Sequence, residues 1–139
     1  MTKSIWINLP VKNINRSREF YTSLGFSFNS RHGNTDHSAA LAIGKKEVVV
    51  MLFDEPAFKN FTGSEIADTA TVAEVLLSID ASGKEEVDEM AARAVMAGGK
   101  SDHVPTIMTG WMYGCIFSDP DGHRWNVLFM DMEQMPGKS

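Results

Sequence analysis

One succession of elements runs through the chain twice. In the first pass Ile5, Ile7, Leu9 and Val11 alternate with Trp6 and Asn8, the two-residue period of a strand with one aliphatic face. Pro10 has no amide to donate, which puts this strand at a sheet edge or Pro10 beyond its last ladder bond. Asn13 then reads as the N-cap of a helix with Ile14, Phe20, Tyr21 and Leu24 at helical spacing, and Gly25 as its left-handed stop. A short strand over 26–29 and a polar loop over 30–36 follow. Strands over 38–43 and 47–54 are joined by Gly44-Lys45-Lys46 at hairpin spacing.

The rhythm breaks over 55–71, where Pro56, Phe58, Phe61 and Gly63 indicate a partly helical crossover. The order then recurs. A strand spans 73–79, and Ser82 with Glu85 three places on forms a capping box for a second helix. Val87, Met90, Ala91, Ala94 and Val95 are its buried stripe, and Gly98-Gly99 ends it. A short strand over 100–104 and a loop through Pro105 and Gly110 lead to strands over 112–118 and 124–130. Between these, Asp119-Pro120-Asp121-Gly122 supplies a preset φ, amide-binding carboxylates and a positive-φ glycine, the parts of a tight turn.

Each pass is a βαβββ module, and one such module leaves a sheet face uncovered, so two must pair their sheets. The expected fold is α+β: two tandem βαβββ modules, 1–54 and 72–132, forming a curled eight-stranded mixed sheet around a cleft in one domain spanning 1–139. A chain of 139 residues with 43% hydrophobic and 22% charged residues fits such a domain. The net charge of −5 disfavours a nucleic-acid partner and weakly favours a basic ligand. The longest apolar run, 48–53, is far below the ~20 residues that span a bilayer, so no membrane partner is expected. The N-terminus does not read as a signal peptide. Cys115 is the single cysteine, which excludes an internal disulfide and suits the cytoplasm. Its apolar neighbours Ile116 and Phe117 make it a buried thiol. His32, His37, His103 and His123 lie in or beside loops, with no pair at i, i+4, and read as solvated.

Asn8-Leu9-Pro10-Val11-Lys12-Asn13, leading into Arg16-Ser17-Arg18-Glu19-Phe20-Tyr21 and Leu24-Gly25-Phe26, resembles the opening of vicinal-oxygen-chelate proteins, the glyoxalase, bleomycin-resistance and extradiol-dioxygenase superfamily. Asp119-Pro120-Asp121-Gly122-His123 resembles its closing hairpin. Met112-Tyr113-Gly114, with Phe61-Thr62 and Ile66-Ala67-Asp68-Thr69, is similar to a bacterial subgroup described as predicted lactoylglutathione lyases. The resemblance implies a homodimer and a concave small-molecule site. In metal-dependent members the ligands come from the first and last strand of each module, and those four places fall here on Trp6, Met51, Glu74 and Asn126. Indole has no lone pair to give, a thioether is soft, and a neutral amide is a poor replacement for carboxylate. A divalent metal cofactor is therefore not supported.

Alternation turns Trp6, Asn8, Met51, Phe53, Glu74, Leu76, Asn126 and Leu128 toward the expected concave face, an apolar surface with few polar groups, as in small-molecule sites. Glu74, a carboxylate desolvated beside Trp and Met, is the candidate catalytic base. Trp6 and Met51 read alternatively as core filling and Glu74 as an exposed carboxylate, while Asn126 reads first as a hydrogen-bonded sheet residue. Trp111 and Tyr113 line either the cleft mouth or an oligomer interface. The Phe58–Phe61 pair reads as a lid or as an anchor of the crossover. Two functions stay open: a protein that binds and sequesters a small organic molecule, and a metal-dependent lactoylglutathione lyase-like enzyme.

Overall fold

The computed structural model describes residues 1–29, 31–101 and 106–134. The chain divides into two compact units, Met1–Asp68 and Thr69–Ser139. In the first, β1 (Trp6–Val11), α1 (Ile14–Ser23), β2 (Ser27–Phe28), β3 (Ser38–Ile43) and β4 (Val48–Asp54) are followed by α2 (Glu55–Thr62). The sheet order is β1-β4-β3-β2, with β1 parallel to β4 and the other pairs antiparallel. β1 is thus an edge strand, the place where Pro10 is tolerated. Asn13 Oδ1 accepts the Arg16 amide at 3.0 Å, and Gly25, at φ +94°, ends the helix as the sequence predicts. Ile14, Phe20 and Tyr21 of α1 are buried with Leu9, Val11, Leu41, Val50 and Leu52 of the sheet. The crossover is helical over α2, capped by Asp54, whose Oδ1 accepts the Ala57 amide at 3.0 Å. β4 begins at Val48 because Glu47 is drawn into the hairpin turn at φ +52°.

The second unit repeats the plan with β5 (Leu76–Asp80), α3 (Lys84–Met96), β6 (Thr106–Thr109), β7 (Met112–Ser118) and β8 (Arg124–Met130). The order is β5-β8-β7-β6, again with the first and last strands parallel. Val87, Ala91 and Ala94 of α3 are buried with Cys115, Phe117, Trp125 and Val127, and the Phe117 and Trp125 rings stack 6.2 Å apart. The eight strands are therefore present as two four-stranded mixed sheets, one per unit.

Three local expectations are corrected. β5 starts at Leu76, so residues 73–75 precede the strand. The helix begins one residue later than the capping box requires: Gly83 is the N-cap, and the Glu86 carboxylate, not that of Glu85, accepts the Ser82 amide at 3.1 Å and its hydroxyl at 2.6 Å. Those bonds hold the Glu86 carboxyl below its ordinary range, the hydroxyl contributing most. Lastly, Lys100 makes a single antiparallel bridge to Ser118, and the regular strand is Thr106–Thr109, where a loop was expected. Ser30, His103 and Pro105 lie outside the described residues.

The turn from Asp119 to Gly122 forms as expected. Asp119 Oδ1 accepts the amides of Asp121 and His123, both at 2.9 Å, and Gly122 lies at φ +92°. Its missing Cβ has a second use, since one added there would stand 2.2 Å from the Thr69 carbonyl oxygen. Gly122→Ala is expected to lose about 2–4 kcal/mol in urea unfolding, strain and overlap together. At Gly25, also left-handed but with nothing within 4 Å of an added Cβ, alanine is expected to cost only about 1–2 kcal/mol.

Candidate functional site

In the first unit Leu9 and Val11 point into the core, so alternation turns Trp6, Asn8 and Pro10 to the opposite face of β1. The register sets Asn8 opposite Met51 and Pro10 opposite Phe53. Trp6, Asn8, Met51 and Phe53 therefore share the face away from α1. Trp6 and Asn8 are exposed, whereas Met51 and Phe53 are half-buried. Met51 is covered by the turn at Gly33, where an added Cβ would meet Met51 Sδ at 3.2 Å and Ala40 Cβ at 2.9 Å. The Phe61 ring packs edge-on against Phe53 at 5.0 Å, which makes it an anchor for α2.

In the second unit the cross-strand pairs Leu76–Arg124, Ser78–Asn126 and Asp80–Leu128 put Leu76, Asn126 and Leu128 on one face, away from α3. Asn126 Nδ2 lies 3.4 Å from the Ser78 hydroxyl, while its Oδ1 is buried with no hydrogen-bond partner among the described residues. Two expected site residues do not join them. Glu74 precedes β5 and is exposed, because the strand begins three residues later than its alternation suggested. Tyr113 is on the α3 side: its hydroxyl donates to Asp88, which pushes the phenol pKa up, and the Lys84 ammonium sits 5.5 Å over its ring. Trp111 is half-buried in the turn before β7, its carbonyl accepting the Asp131 amide at 2.7 Å.

The same face of the second sheet borders a cleft of about 310 Å³, walled by Ala70, Lys100, Ile116, Ser118, Asp119 and Arg124. Arg124 organises it. Its Nη1 donates to the carbonyls of Thr69, Val72 and Gly122 at 3.2–3.3 Å, and the Thr69 hydroxyl donates to the Asp121 carbonyl. The segment entering β5 is thereby tied to the turn entering β8. Sequence reasoning missed Lys100, Ser118 and Arg124. Arg124 was within reach, since it has the strand parity of Asn126 and Leu128. Lys100 and Ser118 join it only through cross-strand register, which no local pattern announces.

These observations meet a direct comparison. The family profile described as Glyoxalase/Bleomycin resistance protein/Dioxygenase superfamily matches residues 3–127. The chain belongs to this superfamily. A hypothetical protein of S. aureus is 32% identical over 93% of this chain and 94% of its own, with a TM-score of 0.82. A glyoxalase/bleomycin resistance protein/dioxygenase family enzyme of Burkholderia phytofirmans is 19% identical, covering 90% of this chain and 96% of its own at TM-score 0.74. A glyoxalase-related enzyme of Fulvimarina pelagi is 20% identical, covering 93% and 88% at TM-score 0.71. The last two likenesses concern the fold. None of the curated proteins compared matches significantly.

For a member of the glyoxalase superfamily the donor set is unusual. Of Trp6, Met51, Glu74 and Asn126, only Glu74 carries an anionic oxygen, and it stands off the strand. Among the described residues, no three His, Cys, Asp or Glu side chains gather as a metal ion would require. These residues do not fit a catalytic divalent ion. Cys115 is buried, and burial pushes its thiol up to about 11, away from the thiolate that a nucleophile requires. Among the described residues no helix is long and apolar enough to cross a membrane.

One titratable pair escaped sequence reasoning, in which His37 read as a solvated loop residue. His37 Nδ1 lies 2.6 Å from Asp54 Oδ2, while Asp54 also caps α2. The Ala57 amide first, and His37 second, hold the Asp54 carboxyl below its usual value. A depressed carboxyl contributes stability that is present above its unfolded-state pKa and lost as pH falls through the folded one. Asp54→Ala is thus expected to cost about 1 kcal/mol at pH 7, the worth of a cap. In urea titrations that gap from wild type should narrow below about pH 4.

Proposed function

We propose that this glyoxalase-superfamily protein binds a small organic molecule against the face of its second sheet that lies away from α3, and holds it without a resident divalent metal. The observation that carries the reading is the Asn126 amide oxygen, buried without a donor among the described residues on a face that borders a 310 Å³ cleft. A buried acceptor left unmatched costs roughly 1–3 kcal/mol, which a ligand O–H or N–H would recover. The cleft is at the small end of the ~300–1,000 Å³ usual for small-molecule sites. Ile116, Leu76 and Leu128 supply apolar contact.

The lactoylglutathione lyase reading needs a metal to polarise a carbonyl and a carboxylate to move the neighbouring proton. With Glu74 exposed ahead of β5 and no fitting donor set, nothing here supports those steps. We further take the protein to be a cytoplasmic homodimer. Ile5 and Val48 are 75% and 42% exposed, apolar surface that a second copy would cover.

Asn126→Leu separates binding from stability. It removes the orphaned acceptor, so the unliganded protein is expected to gain about 1 kcal/mol. The variant should also lose the thermal stabilisation that wild type shows with hits from a small-molecule screen. Turnover of the glutathione–methylglyoxal hemithioacetal, with or without added nickel or zinc, would overturn the metal-free binding reading; none is expected. Sedimentation velocity should give a dimer, and a concentration-independent monomer would remove that part of the proposal.

A further inference from the structure

Lys100, Ser118 and Arg124 form one rung across three strands. Lys100 bridges Ser118, and Ser118 pairs with Arg124 in the β7–β8 register. Cross-strand partners project to the same side of a sheet, and neighbouring strands lie about 4.8 Å apart. Two long cationic side chains thus flank one short hydroxyl, their backbones separated by about 10 Å. All three line the 310 Å³ cleft.

Their hydrogen bonds leave the charges available. Arg124 spends Nη1 on three carbonyls, and no bond from Nε or Nη2 is made among the described residues. That free side-on edge is the two-pronged donor that matches a carboxylate or phosphate. The Lys100 ammonium has no acidic partner, and the Ser118 hydroxyl no hydrogen bond, among the described residues. The one carboxylate in the wall, Asp119, is committed through Oδ1 to the amides of Asp121 and His123. Two residues along β8 from Arg124, about 7 Å away on the same face, stands the unmatched Asn126 oxygen. Ile116, paired with Asn126, is an apolar part of the cleft wall level with that residue.

We infer that the Lys100–Ser118–Arg124 rung is an oxyanion site, and that the ligand is a small acid, a carboxylate or phosphate monoester, carrying a hydroxyl or N–H donor toward Asn126. This rests on the proposed binding role of the same face and names its ligand class. It also runs against the protein's net charge of −5. The two cations outnumber the one carboxylate in the cleft wall, Asp119, and anions beyond the Debye length, about 8 Å at physiological ionic strength, are screened.

The test is calorimetry and thermal shift on the full chain with 4-hydroxybenzoate, 4-hydroxyphenyl phosphate, 4-hydroxybenzamide and 4-hydroxybenzylamine. At least one of the two acids is expected to bind, more weakly as salt is raised, and the amide and amine are not. The stronger of the two acids identifies the oxyanion. Lys100→Gln, at an exposed position outside the core, is expected to weaken the acid about tenfold, the loss of one charge-assisted hydrogen bond, and Lys100→Glu to abolish binding. Arg124→Gln is the harsher variant because it also releases three carbonyls. Binding of the amide or amine without either acid would overturn the oxyanion site while leaving a small-molecule face intact, as would acid binding unchanged in Lys100→Gln. If none of the four binds, the oxyanion site falls, and a broad neutral library then decides the binding role separately.

Discussion

A single helix can seal only one face of a four-stranded sheet, and both halves of this chain are built on that asymmetry. In the second unit Val87, Ala91 and Ala94 close over Cys115, Phe117, Trp125 and Val127. The two-residue period of a strand then obliges Arg124, Asn126 and Leu128 to face the other way. Core and candidate site are therefore set by the same register. A slip of one residue would put Asn126 under α3 and turn Trp125 outward, so burial of the indole holds the polar face in place.

The turn at the head of β8 converts that constraint into a site. Asp119 ties the turn through its own backbone amides, Gly122 lets the Thr69 carbonyl approach where a Cβ would block it, and Arg124 gathers three carbonyls on one nitrogen. The guanidinium is thus pinned by structural bonds on one side and left with donors on the other. A cation fixed in this way needs little further ordering to meet an anion, which is the advantage of preorganisation. The unmatched Asn126 oxygen belongs to the same economy, a local loss of stability at a position where a ligand would restore the balance.

Membership of the glyoxalase superfamily sits beside side chains that differ from the donors expected of its metal-dependent members. The fold and the order of motifs are the family's, but the four places where its metal ligands are expected hold indole, thioether, a displaced carboxylate and an amide. A scaffold defined by backbone topology can exchange the side chains on its open face without disturbing the covered one. Fold and function are read from different faces of the same strands.

Local chemistry made much of this legible from sequence. Asn13 and Gly25 bound the first helix, the Asp-Pro-Asp-Gly turn joins the last two strands, and alternation correctly grouped Trp6 with Asn8, Met51 with Phe53, and Asn126 with Leu128. Such features depend on residues a few places apart. Errors arose where a boundary moved by one to three residues: Glu86 replaces Glu85 at the second helix, and Glu74 falls off the start of β5. Tyr113 went astray because its partner, Asp88, lies on another element. The rung of Lys100, Ser118 and Arg124 had no signature at all. Its members are up to 24 positions apart by number, and only hydrogen-bonded register between strands brings them level. Sequence by itself determined the order of strands and helices, apart from the displaced strand at Thr106–Thr109, and which side of most of them is apolar, because backbone preference and solvent transfer act residue by residue. Tertiary structure alone decided which side chains become neighbours, because pairing between strands is a collective choice made by the whole core.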